Sequence, residues 1–369
     1  MTTNQQPDYA PFPKADWLQH EVEISAAMQR VLSGGQYILG PEVGAFEDEF
    51  AQFLGSAHVI ATGSGTDSIE LILRCLDLQE KGVAIPAFAP SAVASGVERA
   101  GAKVVLADID PVSLTLCPQA LRRRLESPDG KSIKAALVVH LYGNPAHWSE
   151  LEKVAHEHGI HLLEDAAQAH GGSWHGRALG TLGRMSAFSF YPTKNLGAIG
   201  DAGAMATADG ALADLARQLR QYGCKTRYES DSPGINSRMD ELQASILRVK
   251  LRTLNWQVMQ RQKWAGKYDA ALANNSRIQA PKTTAGGVHA YHQYVVRCAQ
   301  RVELIAHLQS RGIATAVLYP SALHQQKAWQ QCGEFSESEC AANEVLALPL
   351  HPYLDELSID HVCTALNDF

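Results

Sequence analysis

An α/β layer fold, with a mostly parallel sheet between helices and a smaller α+β unit after it, is what the order of sequence patterns predicts. Three observations carry the prediction. Short β-rich runs alternate with helix-like stretches over roughly the first 210 residues, as a parallel sheet with helical crossovers requires. The pattern then changes, from Arg238 to about Ala273, to one long helical period. Finally, 369 residues with 46% hydrophobic composition can bury one large core and one smaller one, which we assign to residues 1–240 and 241–369.

Taken in order, the expected strands are Ala57–Thr62, Gly82–Ile85, Lys103–Ala107, Ala135–His140, Ile160–Glu164, Ser186–Phe190 and Gly203–Thr207. Between them lie helical stretches at Glu42–Leu54, Asp67–Leu78, Pro118–Leu125 and His147–His158, several opened by Pro or Asp, which favour helix starts. The long helix presents Leu242, Ile246, Val249, Leu254 and Val258 on one face and ends before the loop Pro281-Lys282-Thr283-Thr284-Ala285-Gly286-Gly287. It should join the two units. Beyond it we expect a strand at Tyr291–Arg297 and helices near Val302–Arg311 and Glu339–Leu346.

Composition narrows the class. The seven cysteines are scattered, odd in number and never paired as C-x-x-C, which argues against a disulfide framework and a structural zinc site. His156 and His158 face different directions on a helix, so no metal is expected. The start MTTNQQPDYAPFPKADW lacks a basic region followed by an apolar one, and no run of 18 apolar residues occurs; a cytoplasmic protein without membrane contact is the expectation. A net charge of −7 without a basic stripe gives little attraction for nucleic acid.

Three segments bear on chemistry. Lys194 follows Phe188, Phe190 and Tyr191 at a strand end, an apolar setting unusual for lysine, and Asp165 ends the apolar run Ile160–Glu164. A buried amine can hold an aldehyde carbon, and a buried carboxylate can keep a pyridine nitrogen protonated. Together they match the needs of pyridoxal phosphate. Alone, Asp165 also reads as a helix cap, although its burial calls for an ionised partner. Thr62-Gly63-Ser64-Gly65-Thr66-Asp67 follows a strand and opens a helix, so its free N–H groups suit a phosphate, and equally a plain cap. Without a following Gly-Lys-Ser/Thr it is no nucleotide-binding P-loop.

Four motifs in register, SGTDSIELIL at 64–73, EDAAQAHGG at 164–172, FSFYPTKNLGAIGDAGA at 188–204 and INSRMDELQASILRVKL at 235–251, make the chain similar to the DegT/DnrJ/EryC1/StrS sugar aminotransferases. The resemblance runs from about Tyr37 to the LALPLHP segment at 346–352. It implies a type I aminotransferase fold, with Lys194 as the Schiff-base lysine, Asp165 at the pyridine nitrogen and Gln168 on the ring hydroxyl. Gly65, Thr66 and Ser189 are the implied phosphate ligands. Asn236 would reach the neighbouring subunit's site, which implies a homodimer with two shared sites. Arg238 is a candidate clamp for the carboxylate of an L-glutamate donor, its planar fork suiting bidentate contact; as the first residue of a helix it also reads as a solvated charge.

The chain departs from the family at Pro86-Ala87-Phe88-Ala89-Pro90, where proline holds a position that is aromatic in many members. Phe88 is the candidate to stack on the cofactor instead. Lysine at 194, where dehydrating relatives carry histidine, favours an aminotransferase. The wording around it looks most like members that aminate C3 of nucleotide-linked, dTDP-type 3-keto-6-deoxyhexoses. A 4-keto sugar nucleotide or a keto-inositol is the alternative acceptor, and a non-catalytic cofactor-binding regulator the alternative class. Candidate substrate contacts are Tyr191, Lys225, Arg227, Tyr319 and His324, each of which also has an ordinary surface or packing reading.

Overall fold

The computed structural model describes residues 12–226 and 228–369. Its main sheet has seven strands: β1 (His58–Thr62), β2 (Gly82–Pro86), β3 (Lys103–Ala107), β4 (Ile133–Val139), β5 (His161–Asp165), β6 (Ser186–Ser189) and β7 (Gly203–Thr207). Their spatial order is β1-β7-β6-β5-β4-β2-β3. β7 runs antiparallel to both its neighbours, and the other pairings in the sheet are parallel. All seven expected strands are present, each within two residues of its expected bounds.

The helices are α1 (Phe12–Gly34), α2 (Pro41–Leu54), α3 (Gly65–Cys75), α4 (Ser91–Arg99), α5 (Pro118–Glu126), α6 (Trp148–His158), α7 (Gly210–Leu219), α8 (Glu241–Leu251), α9 (Leu254–Leu272), α10 (Arg301–Ser310), α11 (Ser336–Glu344) and α12 (Glu356–Asn367). The smaller unit adds an antiparallel pair, β8 (Tyr294–Arg297) with β9 (Val345–Leu348). No helix among the described residues is long and apolar enough to cross a membrane.

Strand alternation builds two cores on one sheet. Leu137 and Val139 of β4 join Val83, Ile85, Leu163 and Phe88 on one face, while Ala136 and Val138 join Ala84, Leu162, Phe50 and Phe188 on the other. A third core, around Tyr268, Tyr294, Leu304, Leu346 and Ile359, lies in the smaller unit. The helix ends are tied down from a distance. Glu241 accepts the N–H groups of Gly40, Glu42 and Val43 at 2.7, 2.8 and 3.0 Å, satisfying the first turn of α2, which Pro41 opens. Asp108 accepts from Glu337 and Ser338 at the start of α11. Gln331 pairs with the outer edge of β3, accepting from the Leu106 N–H at 3.1 Å and donating to the Val104 carbonyl at 2.8 Å.

Two expectations are corrected. The single helix from Arg238 to Ala273 is two helices, because the Thr253 hydroxyl turns back to the Lys250 carbonyl at 3.0 Å and meets the His20 ring at 3.1 Å. α8 packs on α1 and α2, α9 on α12. The helix expected at Glu339–Leu346 ends at Glu344, since Val345 and Leu346 pair with Arg297 and Val296 in the β8–β9 ladder.

Glu164 and Asp165, adjacent on β5, face opposite sides of the sheet. Glu164 is fully buried and accepts from Gly180, Leu182 and Gly183, each at 2.7 Å, and from His140 Nε2 at 3.1 Å. Since His140 Nδ1 accepts the Ala146 N–H, its proton sits on Nε2. Removing this carboxylate strands four donors, three of them in fully buried bonds. Glu164→Ala should therefore cost about 3 kcal/mol or more in urea unfolding, whereas Asp165→Asn, which keeps an acceptor for Ala167, should stay within about 1 kcal/mol of wild type.

Candidate active site

A cavity of ≈ 240 Å³ opens at the C-terminal ends of β5 and β6, where the N-terminus of α3 points toward it. Gly65, Thr66, Asp165, Gln168, Ser189, Tyr191 and Lys194 all line it, together with Pro90, Ala92, Val93 and Asp201. β5 and β6 are parallel neighbours with Asp165 opposite Ala187, so the carboxylate and the loop that carries the amine leave the sheet side by side.

One end of the cavity is an anion cup. The Ser64 hydroxyl caps α3 by accepting the Asp67 N–H at 3.1 Å, while the N–H groups of Gly65 and Thr66 in the first turn have no intrahelical acceptor. A Cβ on Gly65 would stand 2.7 Å from the Ser189 Cβ, so glycine is what lets these walls close up. Ser237 ties the following chain to the cup, accepting from Gly63 at 2.9 Å and donating to Asp67 at 2.8 Å. The neighbouring Asn236 is exposed and does not line the cavity of its own chain.

At the other end burial sets the charges. It pushes the Asp165 carboxyl up, opposed by the Ala167 N–H at 2.9 Å and by the charge of Lys194. Burial likewise brings the Lys194 amine down to about 8, with Asp165 pulling the other way. His170, packed between Phe50, Phe188 and Phe190, is driven down to about 3 and is neutral. Gln168 is fixed at both ends of its amide: Oε1 accepts the Tyr142 N–H at 2.7 Å and Nε2 donates to the Tyr319 hydroxyl at 2.9 Å. One Nε2 proton is left for a ligand.

The remaining candidates fall elsewhere. Phe88 does not line the cavity; it is fully buried, edge-on to Tyr319 with ring centroids 6.1 Å apart, and the wall there is Pro90, Ala92 and Val93. The role of stacking partner expected for Phe88 is therefore not met. His324 is engaged in packing, bonded to Glu339 at 2.9 Å and stacked on Phe335, so its expected substrate contact is not met either. Tyr319 stands behind Gln168, with a positive φ of 63° that a bulky residue adopts only under constraint. Arg238 lies over the Tyr222 ring at 5.5 Å, its buried Nε without a hydrogen-bond partner among the described residues. Lys225 is exposed on a short ribbon, and Arg227 lies outside the described residues. The links from Tyr142 and Tyr319 to Gln168, and from Ser237 to the cup, were missed by sequence reasoning; only Tyr319 had been singled out, and for a different role.

The residues fit pyridoxal phosphate: a backbone cup for the phosphate, a carboxylate for the ring nitrogen, a positioned amide for the hydroxyl and an amine of lowered pKa for the aldehyde. Comparison with known proteins agrees. Residues 19–367 match the model of the DegT/DnrJ/EryC1/StrS aminotransferase family. The erythromycin biosynthesis sensory transduction protein EryC1 of Saccharopolyspora erythraea is 41% identical, covering 96% of this chain and 97% of its own. A UDP-2-acetamido-2-deoxy-3-oxo-D-glucuronate aminotransferase of Pseudomonas aeruginosa is 39% identical over 94% and 96%, and a dTDP-3-amino-3,4,6-trideoxy-alpha-D-glucose transaminase of Streptomyces venezuelae 37% over 96% and 94%. The crystal structure of NtdA from Bacillus subtilis with bound cofactor PMP superposes with a TM-score of 0.90 at 28% identity, covering 99% of this chain and 86% of that one. The chain belongs to the DegT/DnrJ/EryC1/StrS family, and is a pyridoxal-phosphate-dependent aminotransferase of type I fold.

Proposed function

We propose that the protein transfers an amino group from L-glutamate to C3 of a dTDP-linked 3-keto-6-deoxyhexose, giving a 3-amino-3,6-dideoxyhexose nucleotide. The observation that carries a transaminase reading of the site is the opposition of Lys194 and Asp165 across one cavity that ends in an anion cup. C3 is favoured because the names of both quoted transferases place the chemistry at that carbon. The bound cofactor supplies an electron sink for the carbon that bears the amino group. Asp165 would keep the cofactor's pyridine nitrogen protonated, Gln168 would orient the ring, and Gly65, Thr66 and Ser189 would hold the phosphate. Lys194 Nζ, its pKa brought down to about 8 by burial, takes the proton from the glutamate carbon that loses the amino group and gives one to the sugar carbon that gains it. Tyr191, half-exposed on the rim, and Lys225 flank the sugar nucleotide, and Arg238 takes the glutamate carboxylate. The active unit is a homodimer in which Asn236 completes the partner's cup.

The acceptor is tested by mass spectrometry of products from dTDP- and UDP-linked 3-keto sugars, a dTDP-4-keto sugar and a keto-inositol with glutamate. An amine formed on the dTDP-3-keto sugar alone is expected, and preference for a 4-keto sugar or an inositol would refute the assignment. The amine is tested by cofactor uptake against pH. Only neutral Lys194 attacks the aldehyde, so uptake should rise with pH and level off above about 8. In Asp165→Asn, which loses the charge that holds the amine protonated, the plateau should begin at lower pH. Borohydride trapping should place the cofactor on Lys194 and on no other lysine. For Asn236, a mixed dimer of one Lys194→Ala chain and one Asn236→Ala chain should keep near half of wild-type activity, because one site collects both defects. Activity well below half would put Asn236 in its own chain's site.

A further inference from the structure

A second buried lysine stands directly behind the loop that carries Lys194. Lys250, on α8, is 4% exposed, and its Nζ donates to the Gly197 carbonyl at 2.9 Å. Gly197 closes the turn that begins at Tyr191. A Cβ there would come within 2.5 Å of the Pro192 carbonyl oxygen, so the loop doubles back tightly at this glycine. Inside the same loop the Lys194 N–H donates to Tyr191 at 2.8 Å and the Ala198 N–H to Phe190 at 2.8 Å. These bonds close the loop on itself. The Lys250 bond ties its closing glycine to α8, alongside two further ties, Asn195 donating to the Ala290 carbonyl at 2.9 Å and Gln243 of α8 accepting the Ile199 N–H at 2.9 Å.

The charge on Lys250 is met by Asp16 of α1, 1% exposed and 2.7 Å away. Asp16 in turn accepts from the Tyr353 hydroxyl at 2.7 Å and from Gln257 Nε2 on α9 at 3.2 Å, while His20 Nδ1 bonds to the Asp16 carbonyl at 2.9 Å. Four parts of the chain therefore converge on one buried ion pair: α1, the α8–α9 junction, the segment at Tyr353 that precedes α12, and the lysine loop. A buried pair of this kind adds little to stability compared with apolar residues of the same volume. Its geometry, by contrast, fixes one carbonyl oxygen of the loop that bears the amine.

We propose that Asp16 and Lys250 are positioning residues for Lys194, a strut through which α1 and the C-terminal unit hold the 191–197 loop so that the amine faces the cavity. The inference rests on the assignment of Lys194 as the cofactor-bearing residue. Neither Asp16 nor Lys250 lines the cavity, so neither touches cofactor or substrate. Loss of the strut should loosen the loop and admit water to Lys194, whose amine is held down chiefly by burial. The groups whose charges act on that amine or answer to it, Asp165, His170 and His292, stay unchanged in the variants.

The test uses full-length apoprotein and pyridoxal phosphate. In the double variant Asp16→Asn/Lys250→Met, which removes both charges, the rate of cofactor uptake should fall about tenfold to a hundredfold, as expected for a misplaced reacting group. The midpoint of its pH profile should also rise from about 8 toward the ordinary lysine value of 10.5. Circular dichroism and urea unfolding report folding independently. A folded double variant with wild-type uptake and midpoint would overturn the proposal. Should the double variant not fold, Asp16→Asn alone keeps the Lys250 donor on Gly197 but releases its anchor; slower uptake with a raised midpoint supports the strut, and unchanged values overturn it. Borohydride mapping of wild type separates the two readings, since cofactor found on another lysine would defeat the site assignment, while correct attachment with indifferent variants would defeat only the strut.

Discussion

Everything in this molecule answers to one electrostatic demand: a carboxylate and an amine must face each other in a place with little water. Burial alone would neutralise both, pushing Asp165 up and Lys194 down, and each group resists the shift of the other. The sheet meets the demand by geometry. Parallel β5 and β6 lie side by side, β5 delivering the acid at its last residue opposite Ala187 and β6 running two residues further before it leads into the lysine loop. Strand alternation then sends the adjacent Glu164 to the opposite face, where backbone N–H groups and His140 fully occupy it. Two neighbouring acids thus have separate tasks, one holding the fold and one held ready.

Sequence reading left α1, α4, α7 and α12 unassigned, and at α1 polar side chains stand in positions normally filled by apolar ones. All seven strands were legible because their runs are apolar on both faces, as a sheet covered by helices requires. α1 was not legible, since its buried face reads Asp16, His20, Ile24, Ala27 and Val31, with two polar residues where a hydrophobic stripe should begin. Those same residues hold the ion pair at its end. The break between α8 and α9 was hidden for a related reason: no Pro or Gly marks it, and a threonine hydroxyl makes it through contacts distant in sequence. At Val345 a strand replaced the end of an expected helix because pairing with β8 outweighs local pattern.

The site was more legible than its surroundings. The residues proposed for a phosphate, a ring nitrogen and an aldehyde are of a few types at strand ends, and they line one cavity. Residues chosen for flatness or position alone fared worse. Phe88 was named for its ring, but the strand ends two residues before it, at Pro86, and the chain beyond turns it into the core and leaves Pro90 on the wall. His324 was named for its place in the smaller unit, where Glu339 and Phe335 already engage it. Neither outcome is encoded in the residue itself; both depend on which neighbours the fold delivers.

The single amide of Gln331 has a consequence for the life of the protein outside its native state. β3 is the outermost strand of a seven-stranded sheet, and an uncovered edge invites pairing with other chains. Here a side chain from the smaller unit occupies the middle of that edge, and Asp108, just beyond the strand, fastens α11 beside it. The guard is therefore on loan from another part of the fold. While Gln331 stays in place, the Leu106 N–H and the Val104 carbonyl of this edge are taken; any state in which it moves off bares both together, on the strand most open to pairing with another chain.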